Sequence, residues 1–329
     1  MRRYLSALGG VIVVVPNYRV GSLAFVSSGD DSDEDEPGNL ALLDQRMALE
    51  WVRSHIDDFD GDPGSIVVAG AGSGASSLAL HLLSPEAQGT MMDLRRFMLH
   101  SPSVFGPFAD QSVPRQVLMG NVADEGLQEF SSFNETLPTG LSPDTVLHKF
   151  LPRELAKHGV HDAKALLRVY LNDTTGLSWD ETQSLVSHLL GDLLYVCPTT
   201  FLAQYLSWGF ENQVYTFRMS QRLSYIATNT MTRYEDVDLV FGRPLRQPGA
   251  TEAEKSLSRE IIRAWSNFAK FGNLPVVNDS SSGTTIEWPA HSDSEHATVD
   301  ISASGFSLVP DEHWGHCFQL RALAAADVV

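Results

Sequence analysis

Gly61-Asp62-Pro63-Gly64-Ser65-Ile66-Val67-Val68-Ala69-Gly70-Ala71-Gly72-Ser73-Gly74-Ala75-Ser76-Ser77-Leu78-Ala79-Leu80-His81-Leu82-Leu83 is the stretch whose reading decides the fold. Gly61 to Gly64 is a cluster of turn formers. Ile66–Ala69 is a short apolar run with β-branched residues, bounded by glycines, as a buried strand would be. From Ala75 to Leu83 the pattern is that of an apolar helix. A strand, a tight glycine turn and a helix form the context of a nucleophile elbow, in which a side chain is held on a strained turn flanked by small residues.

The same alternation continues outward. Strand-like runs occupy Val11–Val15, Ile66–Ala69, Phe97–His100, Gln116–Gly120 and Val214–Arg218. Helical patterns occupy Leu40–Ser54, Ala75–Leu83, Thr145–Leu151 and Ser256–Lys270, and the stretch "ATVDISASGFSLV" reads as a hairpin. This order predicts an α/β fold: a mostly parallel sheet with helices on both faces. The chain has 329 residues, 43% apolar and 19% charged, and its composition marks no domain break. A net charge of −18 argues against nucleic acid and against anionic membrane surfaces. It suits a cationic ligand or a basic partner, and it suits plain solubility equally well. The acidic run Asp30, Asp31, Asp33, Glu34, Asp35, Glu36 reads as a solvated loop rather than a calcium site. No metal or cofactor motif is expected, and no apolar run looks long enough to span a bilayer.

Further segments carry a family look. "VIVVVPNYRVG" (Val11 to Gly21), "GNLALLDQRMALEWVRSHIDDFDGDPGS" (Gly38 to Ser65), "LHSPSVFGPFA" (Leu99 to Ala109), "VLMGNVADEG" (Val117 to Gly126), "YEDVDLVFG" (Tyr234 to Gly242) and "IIRAWSNFAKFGNLP" (Ile261 to Pro275) follow one another in order. Together with "GDPGS", "IVVA", the glycine-rich hexad and "LALHLLSP", they resemble the type-B carboxylesterase and cholinesterase family. The resemblance implies an α/β-hydrolase fold. It makes residues 1–329 one carboxylesterase-like domain, shortened at its N-terminal end and between Ala109 and Pro114. A divergent short form and a truncated version of a longer chain both fit.

The resemblance also assigns the site. The family's Gly-Glu-Ser-Ala-Gly-Gly, laid on without a gap, puts its serine on Gly72 and its glutamate on Ala71. Its acid falls on Glu125 and its base histidine on Arg233. An elbow without a hydroxyl forms no acyl-enzyme, and a guanidinium stays protonated at any usable pH. The family's oxyanion loop belongs upstream of the Asn17-Tyr18-Arg19 strand. His81, His100 and His188 match no base position. A Glu125–Arg233 ion pair in place of a proton-transfer dyad is a natural expectation. Ser73 offers a shifted elbow, since Ala71 and Ala75 flank it two positions away on each side. The other reading of Ser73 and Ser76 is close strand–helix packing.

The resemblance further implies a disulfide between Cys197 and Cys317. The sequons at Asn134, Asn172 and Asn278 point to glycosylation on a secretory route. The start "MRRYLSALGGVIVVV" then reads as strand rather than signal peptide. With serine and histidine both replaced, the expected function is that of the family's inactive members (neuroligins, neurotactin, gliotactin, glutactin). That would be a non-catalytic extracellular recognition or adhesion protein with a protein partner. A homodimer through Ser256–Lys270 and the C-terminal stretch would fit the same picture. The alternatives are an ester hydrolase using Ser73, and a pseudo-esterase that holds a small ligand.

Overall fold

The computed structural model describes residues 3–25, 38–84, 94–104, 115–171, 173–209, 211–226, 232–278, 283–292, 297–310 and 314–325. Its centre is a six-stranded sheet in spatial order β1 (Val67–Ala71), β2 (Arg96–His100), β3 (Gln116–Val122), β4 (Gln213–Met219), β5 (Ala297–Ser302), β6 (Gly305–Pro310). The first five strands are parallel, in register Val68 to Phe97, Phe97 to Val117, Val117 to Val214 and Phe217 to Val299. β5 and β6 form the C-terminal hairpin that the sequence pattern predicts.

The central strands are apolar on both faces, as burial between two helix layers requires. Met98, Leu118 and Phe217 point to one side, into a core with Ile261, Trp265 and Phe268. Phe97, Leu99, Val117, Met119 and Val214 point to the other, into a core with Ala75, Leu78, Leu202 and Ala203. The first core is covered by the helix Glu252–Phe271. Its N-terminus is a capping box between Thr251 and Glu254, and Gly272 ends it at φ 75°. The second core is covered by Ser73–Leu83 and Cys197–Ser207. A third cluster lies among the helices Leu127–Glu135, Ala163–Tyr170 and Trp179–Gly191 and includes both cysteines.

Two expectations need correction. Val11–Val15 is not a strand. It runs as irregular backbone, with Ile12, Val14 and Val15 each more than 40% exposed, and pairs with no described strand. An apolar β-branched run becomes a strand only when a ladder partner takes its N–H and C=O groups, and Pro16 lacks the N–H in any case. Arg19, just beyond, instead forks onto Asp44 at 2.8 and 2.7 Å. On the Ser256–Lys270 segment, Ile261, Ile262, Ala264, Trp265 and Phe268 are buried in the core. Finally, one helical run, Trp179–Ser207, is long and apolar enough to cross a bilayer, although most of it is buried inside the protein.

That run is covalently tied to the C-terminal helix Trp314–Ala325. Cys197 and Cys317 form the disulfide implied by the resemblance, with Cα atoms 5.1 Å apart and a sequence separation of 120. Both cysteines are fully buried. In the chain-entropy model, a loop of this size is worth roughly 4–5 kcal/mol. Replacing Cys197 and Cys317 together by alanine is therefore expected to cost about 2–5 kcal/mol in urea unfolding. An unchanged midpoint would show that the link constrains nothing.

Candidate active site

Strand β1 ends at Ala71 and the helix begins at Ser73. The single residue between them, Gly72, has φ 54° and ψ −122°. An L-residue adopts this conformation only under strain, and it is the strained point of an elbow. The turn is pinned from both sides: Gly72 N–H donates to the His100 carbonyl at 2.9 Å, and Ser76 N–H donates to the Gly72 carbonyl at 2.9 Å. Gly70 is a close-approach glycine, since a Cβ there would lie 2.5 Å from the Gly74 carbonyl carbon. The elbow therefore centres on 72 rather than 73. Ser73 is exposed at the first position of the helix, beside the elbow. Ser76 serves packing and turn structure: its hydroxyl donates to the Gly72 carbonyl at 3.2 Å and accepts from Ser103 N–H at 2.9 Å.

Glu125 follows β3 on a short turn and is 2% exposed. Its Oε1 accepts from Ser101 Oγ at 2.5 Å, Val122 N–H at 2.9 Å and Asn121 Nδ2 at 3.2 Å. Burial dominates these donors and pushes the carboxyl up to about 7. Its Oε2 accepts no hydrogen bond and lies 3.8 Å from Arg233 Nε, which likewise donates none. The two are close enough for ionic attraction and too far for a hydrogen bond. Arg233 spends its other nitrogens on Glu129 and on the Tyr195 hydroxyl, and its guanidinium carbon sits 4.0 Å over the Tyr195 ring. Burial opposes the charge on Arg233, but Glu129, Tyr195 and Glu125 together outweigh it and hold the pKa above the usual arginine value.

The three candidate histidines lie in three different settings. Trp265 Nε1 donates to His100 Nε2 at 3.1 Å, so the proton sits on Nδ1, which donates to Asp236 at 2.5 Å. Both ring nitrogens of this buried imidazole are thus engaged. His81 packs inside the second helix layer against Gln45, 3.0 Å away, and burial lowers its pKa to about 4. His188 is exposed on the Trp179–Gly191 helix, where its Nδ1 lies 3.5 Å from Ser184 Oγ.

Three residues around the site carry no sequence signal. Ser101, at φ 53° and 1% exposed, ends β2 and turns its hydroxyl to Glu125. Tyr195 anchors Arg233. Tyr234 sits at φ 75° with its phenol over Gly72. Among the described residues, no group of His, Cys, Asp and Glu side chains could hold a metal. A cavity of about 50 Å³ between Cys197–Ser207 and the sheet, reaching Asn121, Thr199, Thr216 and Arg218, lies apart from the elbow. Asn134 and Asn278 are exposed. Asn172 and the acidic run from Asp30 to Glu36 lie outside the described residues.

A model of the Carboxylesterase family matches residues 1–137 and 114–310. The chain is 27% identical to the Cholinesterase of Mus musculus, over 91% of this chain and 62% of that protein. It is 25% identical to Acetylcholinesterase-1 of Trittame loki, over 88% of this chain and 66% of that protein. A local match to the Acetylcholinesterase of Gallus gallus reaches 47% identity over 32% of this chain and 13% of that protein. The chain thus spans about two thirds or less of the length of the relatives it matches. These findings correct the expectation of a non-enzymatic family member: relatives named cholinesterase and acetylcholinesterase point to hydrolase activity. Nothing in them points to adhesion or groups the chain with the neuroligin-like members.

The raised pKa of Glu125 has a stability consequence. Between about 4.5 and about 7 the folded carboxyl holds a proton that the unfolded one has released. Stability is therefore expected to fall as pH rises through that window, by roughly 3 kcal/mol from this group. Glu125→Gln should flatten the slope in urea titrations across the same range. A slope that survives the substitution would place its origin elsewhere.

Proposed function

Because the chain belongs to the carboxylesterase family, we propose that it is a carboxylic-ester hydrolase of cholinesterase-like type that uses Ser73 as its nucleophile. The observation that carries this reading is the elbow itself. The turn between β1 and the following helix keeps the strained geometry at Gly72, and the next residue, Ser73, is exposed. In the reaction, Ser73 Oγ bonds to the ester carbonyl carbon and loses its proton. The C–O bond to the alcohol then breaks, the alcohol leaves protonated, and water releases the acid from the acyl-serine. The first turn of Ser73–Leu83 supplies backbone N–H groups that no helical carbonyl satisfies, which favours a developing oxyanion.

The side chains set the rate. Arg233 stays protonated and cannot take the serine's proton, and His100 is held by Asp236 and Trp265. The acceptor is then water. Loss of a triad base costs about 10^6 in turnover, with about 10^3–10^4 over the uncatalysed reaction left from binding and oxyanion stabilisation. The proposal is therefore a slow esterase. The net charge of −18 favours cationic, choline-like esters over neutral or anionic ones by long-range attraction. The buried disulfide and the exposed sequon residues Asn134 and Asn278 support an extracellular setting.

The test is hydrolysis of a short-chain aryl ester and of a thiocholine ester by the secreted protein, with Ser73→Ala alongside. The reading expects slow turnover above buffer, faster on the cationic ester, that falls to the buffer rate in Ser73→Ala. A folded protein that does not exceed buffer, or an unaffected Ser73→Ala, would overturn it.

A further inference from the structure

Tyr234 occupies the space that a side chain on the elbow residue would take. A Cβ built on Gly72 would collide with the Tyr234 hydroxyl and lie 3.1 and 3.2 Å from Cζ and Cε1 of the ring. The tyrosine is held there from both sides along the chain. Arg233 is fixed to Glu129 and Tyr195. The Glu235 carboxylate accepts from Thr232 N–H and Thr232 Oγ1 at 2.8 and 2.7 Å, closing the turn. The turn imposes φ 75° on Tyr234, a conformation that costs a non-glycine residue about 1–3 kcal/mol. A side chain kept in strained backbone, over a strained glycine, marks a contact that the surrounding structure enforces. The ring is still 45% exposed, so its outer edge faces whatever approaches the elbow from solvent.

We propose that Tyr234 is the access-determining residue of this site. Its hydroxyl fills the elbow side chain's place and its ring walls the approach to Ser73, so that only small acyl groups reach the serine. This rests on the ester-hydrolase reading. The hydroxyl makes the closest approach to Gly72 and the ring supplies the bulk of the wall, so Tyr234→Phe should keep the wall while easing the collision. Tyr234→Gly should remove it and also suits φ 75° without strain.

Two measurements on the full chain test the proposal. The first compares kcat/KM for an aryl acetate and an aryl benzoate. Tyr234→Gly is expected to raise the benzoate value about tenfold while the acetate value moves less than about threefold, and Tyr234→Phe to keep the parent's ratio. The second places Gly72→Ala in the parent, Tyr234→Phe and Tyr234→Gly backgrounds and follows unfolding. The strain at φ 54° is common to all and cancels, leaving the collision. The loss in midpoint should be largest in the parent and smallest with Tyr234→Gly. Equal losses would show that Tyr234 does not fill the elbow, and would overturn the proposal. Unequal losses with an unchanged benzoate-to-acetate ratio would also overturn it, since the ring would fill space without controlling access. Unequal losses with no hydrolysis by any variant would instead remove the hydrolase reading, and the access role with it.

Discussion

A carboxyl group buried to 2% exposure must be satisfied from every side, and the arrangement of this site follows from that demand at Glu125. One oxygen is met by the end of β2 through Ser101, by the end of β3 through Asn121, and by the Val122 N–H. Those three donors fix where two strands stop and in which direction their chains turn. Ser101 accepts positive φ to deliver its hydroxyl. The second oxygen is met by charge alone, from Arg233 at 3.8 Å. Removing either side would leave a buried group without compensation, so the ends of β2 and β3, the Glu125 turn and the segment before Tyr234 are set together.

A second buried link works in the same way one layer away. His100 closes β2, and its ring joins Asp236 on Glu235–Val240 to Trp265 on Glu252–Phe271. An imidazole with a donor on one nitrogen and an acceptor on the other is fixed as a single tautomer. It joins sheet and helices rather than exchanging protons. The same residue type that would make a base elsewhere is here a strut, and only its partners show the difference.

Much of the fold was legible in the chain because its signals are local. A β-branched run between glycines marked β1, short apolar runs marked β2 to β4, and "ATVDISASGFSLV" marked the hairpin. What local signals cannot carry is the partner. Val11–Val15 has the composition of a strand and no described strand beside it. Ser256–Lys270 has an amphipathic face, and only the packed structure shows Trp265 and Phe268 turned inward. In the site, Gly72, Glu125 and Arg233 were proposed by the family resemblance, and the structure brings Glu125 within 3.8 Å of Arg233. Ser101 and Tyr195 were not legible in the chain, because they reach the site from distant segments through single side-chain contacts.

Tyr234 shows why residue-by-residue reading of such a site falls short. Taken alone, a glycine at the elbow is a missing hydroxyl, and a tyrosine before an acidic helix is an ordinary surface aromatic. In space, they are two halves of one steric solution. A bulky ring can stand over the elbow only if the elbow has no Cβ, and a glycine there leaves no gap because the ring fills it. The pair also ties Gly72 to Arg233, since Tyr234 directly follows Arg233, and the anchoring of that arginine to Glu129 and Tyr195 sets where the ring falls. Whatever chemistry Ser73 performs therefore takes place beside an aromatic wall that depends on a glycine at 72 and on the anchoring of Arg233.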